Sequence, residues 1–522
     1  MKVRHIVSAS LALVLGWSGT AFAQTEMDAL RYSRLGITGS ARIQGIGGAQ
    51  TALGADISTL SANPAGLGMF RRSEVSITPG FGSIGTTSIA NRFTTSDEKN
   101  TVSIPHAGIV FSSRKGDNEE GDWRGASFGL SISRLNNYNN QINYRNTVRP
   151  PADPNANYHN TIVDYFAELA NNRTLFGGET LDESLYENSN QSYEGLAYRT
   201  YLIDVFEDEL GEYAAPLMIS KDVDVKQREE IISRGSQSQF DIGVGTSYKD
   251  KLYLGASIGI VTVNFSQNRR FYETGYYVES YDENGQPLGQ GNYSLTLNDE
   301  FTTQGTGINL KVGAIFRPVD AVRLGATIQT PTAYTFIDSY WSSLSATHYD
   351  GGVEEEATTP GEYNYALTTP FRATGGIAFF FNKVGFVTAD IEYVNYANAR
   401  FNSTSGESAS VFAATNSNIQ RNFKSGVNYK LGAEARYQVF RFRAGYNSSA
   451  DPYTANTSNE SRISTYTLGT GIRLQNFYID AAYLNSSTTN FYSPYVFSDG
   501  TGPVVENQER MNNVVFTVGY NF

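Results

Sequence analysis

Apolar and polar residues alternate with a period of two along most of this chain. Near its end Val514, Phe516, Val518, Tyr520 and Phe522 alternate with Val515, Thr517, Gly519 and Asn521. Leu252, Leu254, Ala256, Ile258 and Ile260 share one face, with Gly255, Ser257 and Gly259 on the other. Ile308, Leu310, Val312, Ala314 and Phe316 oppose Asn309 and Lys311, and Val387, Ala389, Ile391 and Tyr393 oppose Thr388, Asp390 and Glu392. A period of two is the period of a strand. Apolar residues on one face and charges on the other describe a barrel that is apolar outside and polar inside, the inverse of a soluble barrel. The pattern therefore predicts an all-β, transmembrane antiparallel barrel.

About fourteen strands are expected, near 73–92, 100–114, 122–146, 236–249, 251–274, 306–317, 321–346, 361–381, 384–401, 424–438, 440–449, 462–474, 476–490 and 508–522. Short connections at Lys249-Asp250-Lys251, Pro318 to Asp320, Asn382-Lys383, Val439 and Gln475 alternate with long ones, as in outer-membrane barrels. An even count puts both ends of the barrel on the periplasmic side. The longest insertion, about 146–235, contains Pro150-Pro151 and two helix-like stretches. Phe166 and Leu169 mark one; Leu202, Phe206 and Leu210 mark the other at i, i+4, i+8. These apolar faces either pack the loop on itself and the barrel mouth or offer a landing site to an apolar ligand. Asn-, Ser- and Thr-rich stretches near 396–422 and 447–461 read as solvated surface. Pro79 and Pro105 interrupt the first two strands and produce either a bulge or a gap in the wall.

Composition agrees. Of 522 residues, 50 are Gly, 34 Tyr and 30 Phe, which suits curved strands and aromatic girdles. The absence of Cys excludes disulfides, thiolate metal sites and a Cys nucleophile. A net charge of −12 argues against a nucleic-acid partner. Residues 1–23 have the form of a signal peptide: Lys2 and Arg4, an apolar run from Ile6 to Trp17, then Ala21-Phe22-Ala23 before Gln24. Its removal takes the charge to −14. No later run of 18 apolar residues exists, so a membrane would be crossed by strands. Residues 24–72, small and Gly-rich, are expected to plug the lumen of a barrel formed by 73–522. The lumen face carries charges of both signs, among them Arg372, Glu434, Arg436 and Arg443. They form an ion-pair network that anchors the plug, or leave an arginine for a ligand carboxylate.

The plug also carries a resemblance. Gly39-Ser40-Ala41-Arg42, Gly47-Gly48-Ala49, Ala52-Leu53-Gly54-Ala55-Asp56 and Asn63-Pro64-Ala65-Gly66-Leu67 closely resemble the N-terminal hatch of the FadL/TodX family, in a form like that of Bacteroidetes-type bacteria. These are outer-membrane transporters of long-chain fatty acids and other hydrophobic compounds, with fourteen strands and a plug. The resemblance implies passive uptake, hatch rearrangement and lateral release into the bilayer. It makes Gly47, Gly48, Asp56, Asn63, Pro64 and Ala65 hatch residues, with the Asn63 amide tying hatch to wall. In that family the wall opening goes with a kinked third strand, whereas the prolines here fall in strands one and two. Expected partners are a hydrophobic small molecule, outer-membrane lipid and the barrel-assembly machinery, read through Phe522.

No cofactor, metal site or enzyme activity is expected. Gly45-Ile46-Gly47-Gly48 lacks the strand and spacing of a dinucleotide loop. His106, His159 and His348 lie far apart in sequence with no metal spacing; a barrel hydrolase would need a Ser or Asp partnered by His at the outer rim, and His159 and His348 fall in loop-like stretches. The competing reading is a scaffold barrel with a protein partner in an outer-membrane complex, or a receptor for haem or another apolar ligand.

Overall fold

The computed structural model describes residues 25–116, 119–148, 161–216, 223–281, 287–404, 411–455 and 461–522; the expected signal peptide and Pro150-Pro151 lie outside them. Fourteen antiparallel strands close into one barrel. They are β1 Glu74–Ala90, β2 Phe93–Arg114, β3 Trp123–Asn137 continuing as Asn140–Val148, β4 Val225–Tyr248, β5 Leu252–Tyr281 and β6 Pro287–Val319. Next come β7 Val322–Gln329 and Ala333–Thr347, β8 Gly361–Thr368 and Arg372–Phe381, and β9 Gly385–Asn395 and Arg400–Ser403. β10 Ser425–Tyr437, β11 Phe440–Ser449, β12 Ile463–Arg473, β13 Phe477–Tyr492 and β14 Val505–Asn521 complete it. β14 pairs with β1 from Glu74↔Asn521 to Ala90↔Val505, which removes both sheet edges. No helix among the described residues is long and apolar enough to cross a membrane.

Alternation places the side chains as expected. Ile258 and Leu310 are 44% and 48% exposed on the outer face, while the interposed Ser257 and Lys311 are 3% exposed inside. Short turns at 249–251, 320–321, 382–384, 438–439 and 474–476 gather at the end that also holds Ser73 and Phe522. Lys249 and Asp250 both take positive φ, the left-handed turn that matches strand twist.

Several elements depart from expectation. The hairpin of β1 and β2 turns in two residues, Asn91-Arg92, and the 93–99 stretch is strand. β5 and β6 have 30 and 33 residues, so most of the stretch 275–305 is ladder rather than loop. About ten residues suffice to cross a bilayer. Above Ile260 the outward row of β5 turns polar, Thr262, Asn264, Ser266, Asn268, so the upper sheet stands clear of lipid. The insertion is accordingly 149–224, shorter at both ends.

On that upper sheet sits a lid. Its helices are α4 Ile162–Asn171, α5 Leu181–Glu187 and α6 Tyr193–Arg199, numbered after the plug helices α1 Glu26–Ser33, α2 Ala41–Gln44 and α3 Thr59–Ala62. α4 begins with a reciprocal cap between Thr161 and Asp164. The second expected helix is instead a hairpin, Ile203–Asp208 with Gly211–Pro216. Gly211, at φ 122, permits the tight turn after Leu210, and β-branched Ile203 and Val205 favour strand. The stretch 396–422 is not simply solvated. It carries α7 Ala413–Asn422 and folds Tyr396, Phe401, Phe412 and Ile419 into the barrel mouth; residues 447–449 belong to β11.

Phe166 is fully buried in the lid core, against Phe271, Tyr293 and Leu297 of the upper sheet and Tyr495 and Phe497 of the last outer loop. Phe166→Ala is expected to weaken lid docking by about 3–5 kcal/mol. The check is faster hydrogen exchange in 161–216 while the folded barrel keeps its heat-modifiable gel mobility.

Candidate functional site

Residues 25–72 fill the lumen and touch the wall on nearly every side. Asn63 is the centre of one tether. Its Nδ2 donates to the Thr51 carbonyl at 2.7 Å and to Ala314 of β6 at 3.3 Å, and its Oδ1 accepts the Ala65 amide at 3.1 Å. Pro64 opens the 3₁₀ turn Pro64–Met69, where its missing amide costs nothing. Asp56 works within the plug, accepting Ser40 Oγ at 2.9 Å and Ser58 Oγ at 2.7 Å. Asp390 of β9 reaches in from the wall: one oxygen accepts the Gln50 and Thr51 amides and the Thr51 hydroxyl, all within 2.9 Å. Thr467 accepts the Gly47 amide and donates to the Gly45 carbonyl, both at 3.0 Å.

Close approach needs bare backbone on the wall. A Cβ at Gly432 would lie 2.5 Å from the Ile46 carbonyl oxygen. Gly255 faces Pro64, Gly313 faces Asn63, Gly325 faces Thr51 and Gly445 faces Gly47 with no more room. This inward glycine belt was not read from the sequence, although its signal is there: the residues sit on the polar face of adjacent strands, at the polar positions of the period-two pattern. Gly47 and Gly48 themselves have φ of 67 and 77, which favours glycine in the plug turn.

The lumen charges lie mostly in pairs. Arg443 meets Glu434 at 2.8 Å and Asp480 at 2.7 Å, and Arg436 meets Glu434 at 2.8 Å. Arg42 of the plug joins them, 3.7 Å from Glu434 and 3.8 Å from Asp56. Arg372 pairs with Glu392 at 2.8 Å and also donates to the Ser33 carbonyl at the end of α1. Arg34 differs. Its guanidinium is held by the Ser461 carbonyl at 2.6 Å and the Ala450 carbonyl at 3.3 Å, and has no carboxylate within 4.0 Å among the described residues.

Above the plug lies an aromatic compartment, and α1 occupies it. Tyr32 stacks on Phe336 at 4.6 Å and meets Tyr138 edge-on at 6.2 Å; Tyr334, Tyr365 and Phe401 extend the cluster. Arg31 lies over Phe265 at 4.2 Å. Outer segments close over it, with Asn422 bonded to Glu26 at 3.3 Å and Tyr453 to Met27 at 3.4 Å. Of the loop residues expected to meet ligand, Phe166 and Leu202 are buried in the lid core and Leu169 is half-buried, whereas Phe206 and Leu210 are exposed. The lid and the aromatic compartment are separate clusters, so these five residues do not line it.

The ladder between β2 and β3 is incomplete. The β2–β3 ladder runs from Arg114↔Gly125 up to His106↔Ser133 and stops. Pro105, next in line, has no amide to give, and β1 and β2 shift register opposite it at Pro79. β3 turns away there: Tyr138 donates its amide to Gly235 of β4 at 3.0 Å, and Asn140–Val148 is laddered to β4, while higher up side chains of β2 bridge to it, Asp97 accepting the Asn143 amide at 3.1 Å. The two prolines and the break in strand three thus meet at one site. Asn137 Nδ2 and Thr101 Oγ1 face each other across the gap at 3.5 Å. Behind it stands the plug, with the Gly36 amide on the Leu135 carbonyl at 3.0 Å and Asn136 Nδ2 on the Arg34 carbonyl at 2.7 Å.

Solved structures resemble this arrangement. A FadL homologue of Pseudomonas aeruginosa superposes with a TM-score of 0.53 at 12% identity, over 94% of this chain and 99% of its own. The toluene transporter TodX of P. putida gives 0.50 at 13% identity, over 93% and 99%. The chain has the FadL-type fold. No family model and no curated protein matches the sequence. The FadL-type likeness read from the plug motifs therefore holds at the level of fold, over the length of the barrel.

Two outcomes follow from these contacts. Asn63→Ala removes three bonds and is expected to loosen the plug by about 2 kcal/mol, seen as faster exchange of the amides at 45–57 in a barrel that stays folded. The second concerns Glu273 of β5, buried in the lid at the start of α4. It accepts Gln227 Nε2 at 2.7 Å, the Ile162 amide at 3.2 Å and Tyr293 Oη at 3.0 Å. Burial, only partly offset by these bonds, pushes its carboxyl from 4.5 up to about 7. A raised acid favours the docked lid below 4.5 and loses that contribution as pH rises through 7, a change of about 3 kcal/mol. Exchange in α4 should therefore quicken from pH 5 to 8, and Glu273→Gln should flatten the profile.

Proposed function

We propose that this protein takes up hydrophobic small molecules, long-chain fatty acids foremost, passively across an outer membrane. The observation that carries the reading is the unpaired wall between β2 and β3, placed beside an aromatic compartment and backed by the plug. A closed barrel with an apolar outer belt is the architecture of outer-membrane proteins. An apolar cargo gains nothing by crossing a polar, charge-lined lumen to the periplasm. A side exit lets it pass from protein to bilayer without hydration.

In this reading the cargo enters the aromatic compartment by displacing α1, whose Tyr32 and Leu30 fill it. Movement of α1 pulls on Ser33 and Arg34, and through them on the contacts at Leu135 and Asn136 that back the gap. The residues Gly47, Gly48, Asp56, Asn63, Pro64 and Ala65 hold the lower plug in place while its upper part moves. Arg34, without a carboxylate partner among the described residues, is a cation beside the compartment that an acid head group can meet. The toluene transporter of the same fold supports an apolar cargo and leaves the head group open.

Purified in mild detergent and extracted, the protein is expected to release a fatty acid or similar apolar compound near one per chain by mass spectrometry. The route is tested with Thr101→Cys/Asn137→Cys, a pair with no other thiol in the chain. Oxidation should retain cargo binding and abolish uptake, and reduction should restore it. Uptake unchanged by the closed disulfide would refute lateral release.

A further inference from the structure

The upper sheet has an outer face whose charge is opposite to that of the rest of the chain. Along β3, β4 and β5 the outward row carries Arg134, Arg145, Lys226, Arg228, Arg234 and Arg270, while the alternate residues Gln227 and Glu229 are buried inside at 2% and 0% exposure. Glu230 is the acid among them; it stands opposite Arg270 across the β4–β5 ladder and accepts Gln141 Nε2 at 3.4 Å. None of the six cations has a carboxylate within 4.0 Å among the described residues. The chain as a whole has a net charge of −12, and the insertion 149–224 alone holds fifteen acidic and four basic residues. The basic face is thus a local feature, and it leaves out the acidic lid.

Its register matters as much as its sign. Arg145 and Arg228 stand directly opposite each other across the β3–β4 ladder. Like charges so placed repel unless an anion lies between them. Arg228 is also held over the Tyr272 ring at 4.4 Å, which fixes the guanidinium on the sheet face. Lower down, Arg234 lies opposite Ser266 and Arg134 opposite Ser238, so no partner across the ladder neutralises either. Arg134 is the next outward residue above Ile132, itself 48% exposed in the apolar belt. The row therefore begins where the hydrocarbon ends and climbs from there.

We propose that this face binds the phosphates of an acidic glycolipid in the outer leaflet of the membrane that holds the barrel. The acyl chains lie on the belt formed by Ile132, Phe240 and Ile242. The phosphates reach Arg134 and Arg234, and the sugar-borne anions reach Arg270, Arg228 and Arg145. Guanidinium groups suit this role because they bind phosphate through two parallel bonds. A soluble anion would not need the row to start at the edge of the apolar belt. The site flanks the β2–β3 gap, through Arg134 on the strand that bends away, so a bound glycolipid would border the opening.

The test uses the full-length barrel in detergent micelles, with bisphosphorylated hexa-acyl lipid A and its fully dephosphorylated form as probes, read by native mass spectrometry. The wild type should retain the phosphorylated lipid and not the dephosphorylated one. Arg145→Gln/Arg228→Gln/Arg234→Gln/Arg270→Gln should lower retention at least about tenfold, with heat-modifiable mobility confirming that the barrel is folded. Arg145→Glu alone, a single exposed change, should lower it in the same direction. Equal retention of both lipids, or full retention by the quadruple variant, would overturn the proposal. So would displacement of the lipid by millimolar inorganic phosphate or by heparin, which would mark the face as a site for soluble polyanions.

Discussion

A backbone amide facing hydrocarbon has no water to bond to, and almost every feature of this wall answers to that constraint. Closure of β14 onto β1 satisfies the last two edges. Where proline removes a donor, the neighbours compensate. At Pro331 and Pro370 the breaks in β7 and β8 lie side by side, and the Thr369 amide donates to the Thr332 carbonyl and the Thr332 amide to the Thr369 hydroxyl, both at 3.0 Å. At Pro105 the β2–β3 ladder itself is not restored among the described residues, and only side chains such as Asp97 bridge the strands higher up. The ladder ends, β3 follows β4 instead, and the plug covers the gap from inside. A wall that mends one proline site and leaves the ladder interrupted at another confines that interruption to one height and azimuth.

The plug meets the same constraint in another form. A compact, irregular segment buried in a lumen carries many amides and carbonyls that need partners. Here the wall supplies them, through Asp390, Thr467, Thr517 and Asn63's reach to Ala314. Bare glycine backbone lets the two surfaces come close enough for these bonds to form. Rigid seating below and aromatic packing above give the plug two regions of different character. Polar bonds hold the lower one in a single geometry, whereas stacked rings around Tyr32 tolerate replacement by another apolar group.

Much of this was legible in the sequence, and the reason is geometric. Strand faces in lipid are sorted by polarity over many repeats, so Leu252 to Ile260 or Val514 to Phe522 announce both strand and side. Turns such as Lys249-Asp250-Lys251 are short and stand out between such runs. The upper strands were underestimated because, above the belt, both faces of β5 and β6 are wet or packed on the lid and the alternation fades. Leu202, Phe206 and Leu210 fit helical spacing by coincidence; pairing of Ile203–Asp208 with Gly211–Pro216 decided otherwise. Asn63 could be placed from its motif. Arg34 could not, because its lack of a carboxylate partner depends on residues more than 400 positions away. The opening needed three distant signals, Pro79, Pro105 and the turn at Tyr138, to be brought together by the fold.

The seam between β1 and β14 also imposes an order on assembly. It joins the first barrel strand to the last, so the cylinder stays an open sheet until nearly the whole chain has been made and delivered. The plug precedes β1 and is held by contacts from many strands, including Thr517 on the final one. Its full set of bonds exists only when the wall is complete, so the plug is the passenger of a closing wall. Contacts of such sequence separation form late and slowly. Until the seam forms, the plug's polar groups and the glycine-lined groove are a template for each other, and a chain that sealed without its passenger would be left with an open pore.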